Sequence, residues 1–176
     1  MSNIILFSGY KKVGKTTLAN ELVRDFGYTK VALADPIKKH VAVTNNMTLD
    51  VLEREKRFNP KLVVDQQEYA DKIKRVYGKN FFVVYAFNRI ISLSEHGKHS
   101  FVVDDIRYSY ELDYFLQQKD FTVNHFVLER DGTKPFNDHS SENIPTSSRS
   151  YVVNCNDISN RAYYIHAITQ KGQNEV

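Results

Sequence analysis

Gly9-Tyr10-Lys11-Lys12-Val13-Gly14-Lys15-Thr16 is the stretch from which the rest of the chain can be read. It meets the pattern G-x-x-x-x-G-K-[ST] at every fixed position. The chemistry needs these residue types. The two glycines allow a tight turn whose backbone N–H groups point inward around phosphate oxygens, and the following helix N-terminus adds partial positive charge. Lys15 can then reach the β- and γ-phosphates of a nucleoside triphosphate, and the Thr16 hydroxyl can ligate Mg²⁺. Gly9, Lys11, Lys12, Val13, Gly14, Lys15, Thr16 and Thr17 form the expected ATP-binding set.

The flanks supply the context that this loop requires. Asn3 to Ser8 is a short apolar run that stops at Gly9, as a fully buried strand does. Beyond Thr16, Leu18, Leu22, Val23 and Phe26 recur at helical spacing, and Gly27 is placed to end the helix. Val31 to Ala34 reads as a second strand. Asp35-Pro36 then supplies a cap and a first helical position, with a helix through Ile37, Val41 and Val43.

From 48 to 96 the pattern is helical. Thr48 caps a helix holding Leu49, Leu52 and Phe58, which Asn59-Pro60 interrupts. Asp65-Gln66-Gln67-Glu68 has the form of a capping box, and Gly78 closes that segment. Asn80 starts a helix so rich in Phe81, Phe82, Val84, Tyr85, Phe87, Ile90 and Ile91 that it is expected to lie deep between neighbours. Strands at 101–103, 121–128 and 151–153 follow, with helices through Leu112, Phe115 and Leu116 and over 158–170. The polar stretch 130–149 is long for a plain connection and reads as a functional loop, such as a lid, or as poorly ordered; the tail from Lys171 is expected to fray.

Five short buried strands separated by helices, without a hairpin signal, predict an α/β fold with a parallel sheet covered on both faces, a three-layer α/β/α arrangement. Its 176 residues fit one domain over 1–176, with a helical insertion at about 37–96 as the place for a substrate pocket.

Composition narrows the function classes. Hydrophobic residues make up 41% and charged residues 26%, which is enough apolar material for a core and excludes a wholly disordered chain. No apolar run approaches the roughly 20 residues of a membrane span. Ile4-Ile5-Leu6-Phe7 is too short for a signal peptide, so no membrane partner is expected. A net charge of +3 does not mark a nucleic-acid coat, so no nucleic acid polymer is expected either. Cys155 is alone, which excludes an internal disulfide and a thiolate zinc cluster and fits a cytoplasmic protein.

A second constellation follows the third strand. Phe101-Val102-Val103-Asp104-Asp105-Ile106-Arg107 puts two carboxylates and an arginine at the end of a sheet strand where ligands bind. One carboxylate, Asp104 or Asp105, can hold Mg²⁺ through water while the other takes a hydroxyl or base edge; Asp104 joins Thr16 as the expected metal set. Arg107 can grip a phosphate bidentately. Glu111 would share its face if the helix has begun there; a helix-start carboxylate with a solvated Arg–Glu pair is the plainer alternative.

These residues carry a resemblance. Gly9 to Thr16, Ala32-Leu33-Ala34-Asp35-Pro36-Ile37-Lys38 and Asp105-Ile106-Arg107-Tyr108-Ser109-Tyr110-Glu111 are similar to the bacteriophage deoxynucleoside monophosphate kinase family. Asp138-His139-Ser140-Ser141-Glu142 and Val153-Asn154-Cys155-Asn156 resemble its later motifs. The resemblance implies a P-loop kinase fold and transfer of the ATP γ-phosphoryl group to a deoxynucleoside 5′-monophosphate, with Mg²⁺, in the host cytoplasm if the chain is viral. It implies that Lys15 and Arg107 are catalytic and that Asp35, Ile37, Lys38, Asp105, Arg107 and Glu111 hold the substrate.

By the same resemblance, Phe82 stands where an aromatic residue can stack on the base, although core packing serves it equally. The middle segment that usually carries further substrate arginines is compressed. Arg57 and Arg75 are the candidates to replace them, with solvated helix residues as the alternative. Arg130 can reach an ATP phosphate or stack on adenine, and His139 and Glu142 belong to a lid or to its polar surface. A homodimer is compatible with the resemblance, but the sequence marks no interface. Two other functions stay open: a kinase of another small acceptor, such as a nucleoside or cofactor precursor, and a nucleotide-gated binding protein without turnover. A GTPase is disfavoured, since no Asn-Lys-x-Asp segment is present.

Overall fold

The computed structural model describes residues 2–134, 144–156 and 160–171. In chain order its elements are β1 (Ser2–Ser8), α1 (Lys15–Phe26), β2 (Thr29–Lys30), α2 (Asp35–Thr44), α3 (Leu49–Glu55), α4 (Pro60–Tyr77), α5 (Phe81–Glu95), β3 (Ser100–Val103), α6 (Ser109–Leu116), β4 (Phe121–Glu129), β5 (Ser150–Asn154) and α7 (Arg161–Lys171). The strands form one sheet in the order β2-β3-β1-β4-β5. Every neighbouring pair is parallel, as the absence of hairpin turns predicts. No helix among the described residues is long and apolar enough to cross a membrane.

The chain separates into two compact units, Met1–Ala32 with Phe87–Val176, and Leu33–Ala86. The first contains the sheet. All seven residues of β1 are buried, which suits a central strand with neighbours on both edges and cover on both faces. Ile5 and Phe7 join Val102, Phe126, Leu128 and Val153 in one core with Leu18 and Leu22 of α1 and Ile165 of α7. Ile4, Leu6, Phe101 and Val103 alternate with them and are equally buried. Phe87 of α5 meets Phe115 of α6 and Phe121 of β4, with ring centroids 6.0 and 5.3 Å apart. Each such side chain contributes roughly 1.5–3 kcal/mol by leaving water.

Gly27 ends α1 with φ 70°, its N–H bonded to the Leu22 carbonyl. The next residue, Tyr28, bonds through its hydroxyl to His166 Nδ1 (3.2 Å) and Thr169 Oγ1 (3.1 Å), fastening α7 beside α1. The second unit is helical. Val41, Ala42, Leu52 and Leu62 form its core with Met47 against them, and the His40 ring lies 3.7 Å from that of Tyr69 in a stack.

Several local expectations are corrected. The second strand is Thr29–Lys30 rather than Val31 to Ala34. Val31 still donates to the Val102 carbonyl at 3.0 Å, but Ala32 to Ala34 belong to no strand although Ala32 and Leu33 are buried, a distinction that hydropathy does not make. Asp35 is the first residue of α2, and Ala34 is its cap. Asp65 to Glu68 lies inside α4, so the capping box does not form. Asn59 caps that helix through Lys61 N–H (3.2 Å), with Pro60 in its first turn; Asn-Pro is a start signal there rather than an interruption. Phe58 falls outside α3 and is 81% exposed. Thr48 does cap α3, accepting from Val51 N–H at 3.3 Å. Residues 135–143, with His139 and Glu142 of the expected lid, and the tail beyond 171 lie outside the described residues.

One buried polar residue gives the fold a pH dependence. His125 of β4 is 1% exposed, and burial pushes its imidazole down to about 4 from an ordinary value near 6.5. The native state therefore binds fewer protons than the unfolded chain between these values, and stability falls as pH drops through that window, by about 3 kcal/mol in total. Burial lowers His166 as well, in the same direction. Urea melts from pH 7 to pH 4 are expected to show this loss. By NMR, the His125 ring should stay neutral at pH 5.5; a ring protonating near pH 6.5 would contradict the assignment.

Candidate active site

The glycine-rich loop follows β1 directly, and its backbone is left-handed at three positions: Gly9 (φ 137°), Lys12 (φ 69°) and Gly14 (φ 116°). At Gly9 the requirement for glycine is also steric. A Cβ there would lie 2.5 Å from the Leu128 carbonyl oxygen of β4 and 3.1 Å from Val13 Cγ1. Val13 is fully buried and pins the loop's middle into the core. Its N–H reaches the Tyr10 carbonyl at 3.3 Å, which turns the chain back on itself.

Gly14 caps α1 without a side chain, and no acidic residue stands in the helix's first turn. No side chain caps the start of α1, where the helix dipole favours an anion. Lys15 bends back over the loop, donating to the carbonyls of Gly9 and Tyr10, the latter at 2.9 Å. Lys11, Lys12, Thr16 and Thr17 are exposed around this turn. Backbone donors and a lysine converge here as a phosphate group requires.

The donor set also fits Mg²⁺. Among the described residues no cluster of three His, Cys, Asp or Glu could hold a metal. The exposed Thr16 hydroxyl in the first turn of α1 would hold the ion together with phosphate oxygens and water, which is how Mg²⁺ is commonly bound.

Sheet register brings the second constellation to the same edge. Leu6 pairs with Val103, so Asp104 leaves β3 beside the end of β1. Asp104 is only 6% exposed, and Lys30 of β2 meets its carboxylate at 2.6 Å. Sequence reasoning missed Lys30; the signal was a lysine inside an otherwise strand-like, apolar stretch. Asp105 is half-buried and Arg107 exposed. Glu111 is 6% exposed, and its Oε2 accepts the backbone N–H groups of Arg107 (2.8 Å) and Tyr108 (3.1 Å). The helix begins at Ser109, so Glu111 binds the backbone at Arg107 across the helix start. Burial, with the adjacent Glu111 charge, pushes the Tyr110 hydroxyl well above its usual range.

Arg130 follows β4, and its Nε donates to the Cys155 carbonyl at 3.2 Å. Cys155 N–H donates to the Glu129 carbonyl at 2.6 Å, and Asn156 Oδ1 accepts from Asp131 N–H at 2.9 Å. The Cys155 thiol is buried and pushed up by burial, partly offset by Arg161 and Arg130.

The remaining candidates belong to the helical unit. Asp35, Ile37 and Lys38 occupy the first turn of α2. Lys38 Nζ lies 3.2 Å from Glu53 Oε1, and Lys56 takes the other oxygen. Burial alone would raise Glu53, but the two ammonium groups outweigh it and hold the carboxyl below its usual range. Arg57 and Arg75 are exposed. Phe82 is 3% exposed, its ring edge-on to Phe81 at 5.3 Å.

No protein-family model matches the chain, and no curated protein matches it in sequence. Its fold is shared by solved structures. The chain is similar to a candidate kinase from Chloroflexus aurantiacus, with a TM-score of 0.55 and 10% identity over 99% of this chain and 98% of that one. It is also similar to the dephospho-CoA kinase of Campylobacter jejuni, with a TM-score of 0.50 and 13% identity over 98% of this chain and 100% of that one. At such identities the likeness establishes architecture alone, and that architecture is the P-loop kinase fold.

Two substitutions probe this site. Gly9→Ala sets a Cβ against the Leu128 carbonyl on a backbone at positive φ, so denaturant melts should show a loss of about 1–3 kcal/mol. Lys30→Met strands the buried Asp104 carboxylate, and denaturant melts should show a loss on the order of 2 kcal/mol.

Proposed function

We propose that this chain transfers the γ-phosphoryl group of ATP to a small acceptor, and that the acceptor is a deoxynucleoside 5′-monophosphate. The observation that carries the first part is the left-handed loop, with Lys15 folded over it and the side-chain-uncapped start of α1, on a P-loop kinase fold. The second part rests on the Ala32 to Lys38 and Asp105 to Glu111 segments and their resemblance to the phage kinases.

In this reading little covalent chemistry falls to the protein. An oxygen of the acceptor phosphate, already anionic, attacks the γ-phosphorus as the bond to the β–γ bridging oxygen breaks, giving ADP and a nucleoside diphosphate. No side-chain base is needed. The chain's task is to hold two anions end to end and exclude water. Lys15 holds the γ-phosphate and Lys12 assists at the loop. The exposed guanidinium of Arg107 takes the acceptor phosphate or the group in transit. Thr16 would hold Mg²⁺, with Asp104 as the proposed carboxylate acting through water, and the ion would supply charge neutralisation for the phosphates. Glu111 supports Arg107 by fixing the backbone at the start of α6. Lys38, Arg57 and Arg75 are the proposed further acceptor contacts, Arg130 lies on the ATP side, and Phe82 is assigned to packing.

A coupled ADP-release assay with ATP and Mg²⁺, offering each deoxynucleoside monophosphate and its ribose counterpart separately, tests this reading. ADP formation that depends on one or more deoxynucleotides is expected. ATP binding without turnover on any of them would overturn the acceptor assignment. Lys15→Ala removes a charge aimed at the transition state and should cost at least ~10²-fold in turnover; a near-normal rate would contradict its role.

A further inference from the structure

Among the described residues, His125 is a buried ionisable side chain that the site as described does not use. His125 lies in β4, register-paired with Leu6 of β1 on one side and Ser150 of β5 on the other. Its Nε2 is 2.9 Å from Ser8 Oγ, and its Nδ1 is 2.7 Å from Ser150 Oγ. Ser8 is fully buried and directly precedes Gly9. Its hydroxyl donates to the Pro145 carbonyl at 3.3 Å. At the other end, Ser150 Oγ accepts from Ser147 N–H at 2.9 Å and bonds the Ser147 hydroxyl at 3.1 Å. Ser147 Oγ in turn accepts from Arg149 N–H at 3.2 Å.

For a neutral ring, one arrangement of protons satisfies every one of these contacts. A carbonyl can only accept, so the Ser8 proton goes to Pro145. The bond between Ser8 and His125 is then donated by Nε2–H. Nδ1 is therefore bare and accepts from the Ser150 hydroxyl. Ser150, its proton committed, accepts from both the N–H and the hydroxyl of Ser147. Every member is satisfied, and the direction of each bond fixes the next.

We propose that His125 is a positioning residue for the phosphate loop, holding Ser8 at the loop's base and tying it through Ser150 to the 144–150 segment. This rests on the loop being the nucleotide site. Apolar residues at these buried positions would pack without any hydrogen-bond requirement. A polar chain here specifies one arrangement instead of adding stability. What it specifies is the residue next to Gly9, where a Cβ would already meet the Leu128 carbonyl. Small displacements of Ser8 are thus passed directly to the phosphate-binding turn.

Ser150→Ala removes the remote donor without altering Ser8, His125 or the loop. The variant should stay folded, with a melting temperature within about 5 °C of wild type. It should bind ATP about tenfold more weakly by calorimetry, and ¹⁵N spectra should show His125 released from its pure Nε2–H tautomer. His125→Gln keeps a donor toward Ser8 and an acceptor toward Ser150, so ATP affinity should remain within about threefold of wild type. A folded Ser150→Ala protein whose ring changes tautomer while ATP binds as in wild type would overturn the proposal. So would a glutamine variant that folds but binds ATP as weakly as Ser150→Ala. Wild-type protein that binds ATP yet transfers nothing would sink the proposed reaction and leave this inference standing; wild type that binds no ATP overturns both.

Discussion

The structure turns on the space at Gly9. The Leu128 carbonyl of β4 stands where a side chain would begin, 2.5 Å from the position of a Cβ. Only a glycine in a left-handed conformation passes that point. Because it passes there, the chain curls through Lys12 and Gly14, both at positive φ, and enters α1 without a side-chain cap. Burial of Val13 then prevents the loop from relaxing into another shape. The phosphate-binding geometry is therefore a consequence of how β1 and β4 pair and of what the core takes in.

The sheet order gives this loop its company. With β1 between β3 and β4, the exits of all three strands lie at one edge, bringing Asp104, Asp105 and Arg130 out near Gly9. The charged groups here are paired or bonded as the protein stands. Asp104 is neutralised by Lys30, Glu111 binds the backbone at Arg107, and Arg130 links the ends of β4 and β5. Such contacts prevent buried carboxylates from standing uncompensated, and they hold the backbone that aims Arg107. An arriving polyanion with its cation would exchange partners with some of them, so affinity would reflect the difference between two paired states and not the making of new ion pairs alone.

Much of this was legible in the residues. The motif from Gly9 to Thr16 announced the loop, and the apolar runs without hairpin turns announced a parallel sheet. What escaped did so for identifiable reasons. Val31 to Ala34 is apolar like a strand but belongs to none, since hydropathy records burial and not membership of a sheet. Asn59-Pro60 reads as an interruption of a helix, whereas in the structure Asn59 caps a new helix and Pro60 begins it. Lys30 finds its partner 74 residues further along the chain, beyond the reach of any local pattern. His125 is one of the polar residues within the 121–128 strand pattern. Its role depends on Ser8 and Ser150, which are brought beside it only by the register of three strands.

The central claim, that the loop serves transfer and not mere nucleotide binding, is tested most directly by following the phosphorus itself. ³¹P NMR of the protein with Mg²⁺, ATP and the deoxynucleoside monophosphates should show the γ-resonance disappear as the α- and β-resonances of a new deoxynucleoside diphosphate grow in equal proportion, with little inorganic phosphate. A spectrum in which the γ-phosphoryl group goes only to inorganic phosphate, or does not move at all, would contradict the account.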